Sequence, residues 1–165
     1  ACFNHAACGL IIDETICNVK REYTINNNGV IIDQLYKWVQ SVNIRNGYVA
    51  MLPILRDSID GVSHKITDSA YCDYDYEIYD VSLSGHSTPI SVPVKNVTKC
   101  VIFGSVSNYY AEMVIDNHNS TCNNEFYVSP NVSYNKFYYS HNKNQATNIG
   151  DTWRVTTNYK ITSNS

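Results

Sequence analysis

Residues 152–162 alternate without a break. Trp153, Val155, Thr157, Tyr159 and Ile161 fall on one parity, and Thr152, Arg154, Thr156, Asn158, Lys160 and Thr162 on the other. Side chains of a strand repeat every two residues, so this run lays one apolar face and one wet face along a sheet. Shorter runs continue the pattern. Ile90, Val92 and Val94 alternate, and Tyr109 to Ile115, Glu125 to Val128 and Ser133 to Tyr139 read as further strands separated by Asn, Ser, Gly and Pro. Cys100-Val101-Ile102-Phe103 is apolar on both parities, which suits a central strand covered on both faces. From Cys72 to Ile78 the apolar residues keep one parity and from Tyr79 they move to the other, so the spacing predicts a bulge or bend near Ile78-Tyr79.

One segment reads differently. Ile31, Leu35, Trp38, Val39 and Val42 recur at three- and four-residue steps, while Asp33, Gln34, Lys37 and Gln40 fall mostly on the other side. That spacing predicts an amphipathic helix over 31–43, started by Asn26-Asn27-Asn28-Gly29 and stopped by Asn46-Gly47, with Trp38 as a core anchor. The expected fold class is therefore α+β and mostly β: an antiparallel β-sandwich, or a sheet with one packed amphipathic helix, disulfide-stabilised. One secreted domain spans 1–165, with 1–28 as a disulfide-tethered N-terminal segment, the helix at 31–43 and 48–162 mainly β. At 165 residues and 44% apolar composition the chain can bury a sizeable core, so disulfides would reinforce rather than create the fold.

The disulfide expectation rests on an even set of six cysteines, Cys2, Cys8, Cys17, Cys72, Cys100 and Cys122, with no two at the spacing of a redox or zinc knuckle. Three bridges follow in an oxidising compartment. If residues 98–104, 109–115 and 124–128 run as a meander, Cys100 and Cys122 are neighbours, and a second bridge falls among Cys2, Cys8 and Cys17. An extracellular setting also fits a chain that starts with Ala1. Sequons stand at Asn96, Asn119 and Asn131, and Asn119 lies in the polar run 116–120, where a glycan would project into solvent. Lys20-Arg21 matches a dibasic processing site, although a solvated pair is the plainer reading.

Charge excludes one partner class. With 12 Lys and Arg against 15 Asp and Glu, and Lys20-Arg21 as the sole adjacent basic pair, nothing clusters enough cations to neutralise a nucleic-acid backbone. The apolar stretch 48–55 is far shorter than the roughly 20 residues of a membrane helix. Catalytic signals are weak. Gly85-His86-Ser87-Thr88-Pro89 resembles a nucleophile elbow but has Pro89 where the last Gly belongs. His5, His64, His86, His118 and His141 are dispersed, without a metal-binding pair. The acidic stretch Asp73-Tyr74-Asp75-Tyr76-Glu77-Ile78-Tyr79-Asp80 opens like a calcium loop but has Ile78 and Ser84 where that motif needs Gly and a bidentate carboxylate. No metal, no cofactor and no enzymatic activity is expected.

The remaining signal is aromatic. Fourteen tyrosines include clusters at 71–79, at Tyr109-Tyr110 and at 134–139. A tyrosine offers a flat apolar face with a polar tip, which suits sugar stacking, protein recognition or a lipid headgroup layer. Neighbours in a strand face opposite ways, so Tyr109-Tyr110 and Tyr138-Tyr139 should each place one ring outside. The candidate ligand-binding residues are Asp73, Tyr74, Asp75, Tyr76, Tyr79, Tyr109 and Tyr138. The expected function is a secreted or ectodomain recognition module binding a cell-surface glycan or protein. The alternative is a secreted cytotoxin acting on a target membrane. A second chain or a homo-oligomer is an open partner.

Overall fold

The computed structural model describes residues 6–7, 10–11, 15–45, 47–55, 58–59, 62–63, 67–73, 76–81, 90–93, 98–104, 109–117, 125–130, 134–140 and 145–163. Eleven of the described strands build two antiparallel sheets: β1 (Cys17–Asn26), β2 (Gly29–Trp38), β3 (Tyr48–Leu55), β4 (Ser69–Cys72), β5 (Tyr79–Asp80), β6 (Ile90–Pro93), β7 (Lys99–Phe103), β8 (Tyr109–Asn117), β9 (Glu125–Pro130), β10 (Tyr134–Ser140) and β11 (Thr152–Ser163). The larger sheet has the order β5-β4-β7-β8-β11-β2-β1, and the smaller has the order β6-β9-β10-β3. Short two-stranded ribbons complete the described pairing, among them Asn43–Ile44 with Gln145–Ala146.

The alternating run at the C-terminal side is β11. Its burial follows its parity: Trp153 is 5% exposed, Val155 and Thr157 are fully buried, and Thr152, Arg154 and Lys160 face outward. β7 is the expected central strand, with Cys100, Val101 and Ile102 all buried. The two sheets share one core, in which Trp38 meets Trp153 edge to face at 4.6 Å and Phe126 meets Tyr139 at 5.1 Å. Tyr138 and Tyr139 do split across the strand: Tyr139 is fully buried and Tyr138 looks outward.

The expected helix over 31–43 is a strand, and no helix occurs among the described residues. The helical spacing of Ile31, Leu35 and Trp38 coexisted with a period of two. Gln34, Tyr36 and Trp38 are buried on the inner face, whereas Leu35 is 40% exposed on the other. Two local facts decide between the periods. Val30-Ile31-Ile32 are β-branched and lose little by extending. The stretch read as a helix start is instead the reversal of a hairpin, in which Asn26 pairs with Gly29 and the Asn28 amide donates to Asn26 Oδ1 at 2.8 Å. Gly29 holds φ at 118°, and a Cβ there would collide with the carbonyl oxygen of Tyr159. Only glycine fits that place. The fold class is therefore all-β, not α+β with a packed helix.

The disulfide-stabilised fold is corrected too. Cys17, Cys72 and Cys100 are buried thiols. The meander that would have brought Cys100 to Cys122 does not form, because β7 and β8 pair in the larger sheet while β9 lies in the smaller one. Cys100 stands opposite Cys72 on β4. Burial pushes the Cys100 thiol well up, with Cys72 and Asp73 adding to it, and burial raises Cys17 as well. Such sulfurs serve as small apolar core groups. Cys2, Cys8 and Cys122 lie outside the described residues. The phase change expected near Ile78-Tyr79 is a full reversal, since Tyr79 pairs with Ala70 and Asp80 with Ser69.

Candidate functional site

Seven strands cannot be covered by four. The mismatch shows along the inner-facing parity of β1, where exposure climbs from 2% at Cys17 to 61% at Tyr23 and 78% at Ile25. On β11 it climbs from 5% at Trp153 to 72% at Ile161. The β1–β2 hairpin and the far end of β11 thus run out beyond β3, the edge strand of the smaller sheet. Where that overhang meets β3, a cleft of about 360 Å³ opens around the β3 edge. Tyr23, Ile32, Gln34 and Tyr159 line it from the larger sheet together with Arg21, and Tyr48, Val49, Ala50, Met51 and Tyr138 line it from the smaller. The volume is at the lower end of the roughly 300–1,000 Å³ typical of small-ligand clefts.

An edge strand leaves alternate N–H and C=O groups pointing sideways. Two side chains of the larger sheet meet them. Gln34 Nε2 donates to the Val49 carbonyl at 2.6 Å, and the Met51 amide donates to Tyr159 Oη at 3.3 Å. Pro53, two residues on, has no N–H to satisfy. These two bonds stitch β3 to the opposite sheet and fix the floor of the cleft. Burial pushes the Tyr159 hydroxyl up to about 12, opposed by its bond from Met51, so it stays protonated at neutral pH.

Gln34 also organises the charge. It is 4% exposed, and its Oε1 accepts from Tyr36 Oη and from Arg21 Nε, each at 3.0 Å. The Arg21 guanidinium is thereby turned toward the cleft while its side chain stays exposed. No Asp or Glu lines the cleft among the described residues. The rim is aromatic and accessible: Tyr48 and Met51 are each 48% exposed, and the Tyr48 and Tyr138 rings tilt against each other at 5.0 Å. Lys136 lies two residues before Tyr138 on the same outward parity of β10 and stands 5.0 Å over the Tyr134 ring.

The larger sheet's outer face is different in kind. There Asp33 takes both Arg154 Nε at 3.0 Å and Nη2 at 2.8 Å, plus the Thr156 hydroxyl at 2.7 Å. The hydrogen bond from Arg154 holds the Asp33 carboxyl below the ordinary range. Lys20 pairs with Glu22 and Lys99 with Glu112. The Arg154–Asp33 and Lys99–Glu112 pairs tie neighbouring strands together, Lys20–Glu22 lies along β1, and all three leave little net charge for a ligand.

Of the residues singled out from sequence, Tyr138 lies in the cleft. Asp73 does not: its carboxylate accepts from the Thr98 amide, the Thr98 hydroxyl and the Lys99 amide, which fastens the end of β4 to β7. Tyr76, 70% exposed with a left-handed φ of 57°, and Tyr79, packed against the core, sit at the β5 edge. Six strand steps of about 4.8 Å separate that edge from β1, roughly 29 Å. Tyr109 is opposite Ser163 in β8, and its side chain lies outside the description. Tyr74, Asp75, Asn96, Asn119, Asn131, Ser87 and all five histidines lie outside the described residues. Among the described residues no group of His, Cys, Asp and Glu could hold a metal, and no helix is long and apolar enough to cross a membrane.

Sequence reasoning missed Arg21, Tyr23, Gln34, Tyr48 and Met51. The one available signal was Gln34, a polar residue on the apolar parity of Val30, Ile32, Tyr36 and Trp38. The four cleft tyrosines come from four separate strands, so clustering along the chain could not reveal them.

No protein family and no curated protein matches the chain. Among solved structures it is similar to the Slr1438 protein from Synechocystis sp. PCC 6803, with 8% sequence identity and a TM-score of 0.44. The match covers 88% of this chain and 54% of the other, so the chain spans about half the length of that protein. At this level neither residues nor an activity is carried over.

Proposed function

We propose that this chain is a recognition module that binds a cell-surface saccharide in the tyrosine-lined cleft, without turnover. The observation that carries the reading is the exposed Tyr48–Tyr138 pair standing over a floor fixed by Gln34 and Tyr159. Flat aromatic faces stack on the C–H faces of sugar rings while hydroxyl and amide groups meet the ring hydroxyls. A volume of about 360 Å³ favours one or a few sugar units over a protein surface, which would need about 800 Å² from each partner. The described cysteines, Cys17, Cys72 and Cys100, are thiols and lend no support to an extracellular setting, so the proposal rests on the cleft alone.

The test is binding to a panel of immobilised glycans, with Tyr48→Ala and Tyr138→Ala as cleft variants. A stacked ring contributes roughly 0.5–1.5 kcal/mol, so each variant should weaken binding about two- to tenfold with its melting temperature little changed. Binding that is indifferent to both substitutions places recognition elsewhere. A second reading draws on the exposed Tyr23, Ile25 and Ile161, an apolar strip suited to a lipid surface. Dye release from liposomes, abolished by Ile25→Asp, would favour this reading over the first.

A further inference from the structure

Resting on the saccharide reading, we infer that the sugar held in this cleft carries a carboxylate, and that Arg21 is the residue that reads it. The cleft is not neutral. Its lining contains one guanidinium and, among the described residues, no acid. That guanidinium is also aimed. Gln34, nine-tenths buried and beyond, holds Arg21 Nε at 3.0 Å while being held itself by Tyr36 Oη and the Val49 carbonyl. A buried amide anchored at both ends places an exposed cation more sharply than solvent would, and a planar guanidinium matches a carboxylate with two parallel donors.

The surroundings reinforce the sign. Lys136 lies outside the lining but is in contact with Tyr134 and with the lining residue Tyr138. The acids nearest in sequence are turned away: Glu22 and Asp33 lie on the opposite parity and are engaged by Lys20 and Arg154. Among the described lining residues the one formal charge is therefore positive, although the whole chain carries a net charge of -3. An anionic ring stacked on Tyr48 and Tyr138 meets Arg21 across the cleft with Lys136 at its rim.

Two matched probe pairs decide it: 3′-sialyllactose against lactose, and trigalacturonic acid against its methyl ester. Each pair differs in the presence of a free carboxylate, and the two pairs distinguish a sialic from a uronic source. The acidic member of one pair should bind at least tenfold tighter than its neutral counterpart, and the advantage should shrink as salt rises from about 50 to 500 mM. Arg21→Gln should remove the advantage, Arg21→Lys should keep only part of it, and Lys136→Gln should reduce it by a smaller factor. Equal binding of acidic and neutral probes, with loss on Tyr138→Ala, overturns the carboxylate assignment while leaving the saccharide reading intact. No binding of any sugar overturns both. An advantage that survives Arg21→Gln in folded protein overturns the role of Arg21.

Discussion

Replacing Gln34 by Leu tests the geometry of the cleft most directly. Leucine nearly matches glutamine in volume, so little cavity results, and the loss is of hydrogen bonds. Tyr36 Oη loses its acceptor, keeping only its contact with Arg21, and the Val49 carbonyl loses its Gln34 donor; both residues are 8% exposed. Each buried polar group left unmet costs about 1–3 kcal/mol, whereas the Arg21 guanidinium turns to water at little cost. Leucine returns about 1–2 kcal/mol through its apolar surface. The expected net loss is about 2–3 kcal/mol, or roughly 5–10 °C in melting temperature for a chain of this size. Urea unfolding followed by the fluorescence of buried Trp38 and Trp153 reads it as a lower midpoint at unchanged slope. Adding Tyr36→Phe removes one of the stranded groups, so the double variant should regain about 1 kcal/mol over Gln34→Leu alone. A Gln34→Leu loss below about 0.5 kcal/mol, or no recovery in the double variant, refutes the account of Gln34 as the fixed point of the cleft.

Gly29→Ala should cost about 2–4 kcal/mol and drop the melting temperature accordingly, because the site combines a φ of 118° with the Tyr159 carbonyl at its α-carbon. Stability should fall between pH 10 and about 12, since the unfolded chain releases the Tyr159 proton near its ordinary value of about 10 and the folded chain near 12. Below pH 10 that contribution is intact, and Tyr159→Phe should flatten the decline by on the order of 2 kcal/mol across this window in urea titrations. Alkylation mapped by mass spectrometry should leave Cys17, Cys72 and Cys100 unmodified in the native protein and modify all three in denaturant without reductant. A bridge at any of them would contradict the thiol assignment.

The strands were legible wherever one parity was apolar over four or more positions, as in β11, or both were, as in β7. β2 was misread because Ile31, Leu35 and Trp38 satisfy a helical repeat by coincidence, while Val30, Ile32, Gln34, Tyr36 and Trp38 satisfy the pleated one that governs. β-branched residues and a glycine-ended reversal outweighed the apolar spacing. The disulfide expectation failed for a related reason: cysteine parity is blind to which sheet a strand joins, and β9 joined the other one. Of the cleft, Tyr138 could be seen because Tyr138-Tyr139 must split across a strand. Arg21 could not, because its role depends on Gln34, thirteen residues away across the hairpin turn.

The cleft draws on two kinds of connection. Its Arg21–Gln34 wall closes within a hairpin, over a separation of 13 residues, whereas the Met51–Tyr159 tie closes over 108. Short loops close at small entropic cost and long ones at more, so the wall can form on a nascent chain long before the floor does. Until β11 has left the ribosome and docked beside β2, the tyrosine that holds one side of the floor is missing, and a chain stopped short of residue 159 would emerge with its charge in place and only the Gln34–Val49 half of the floor beneath it.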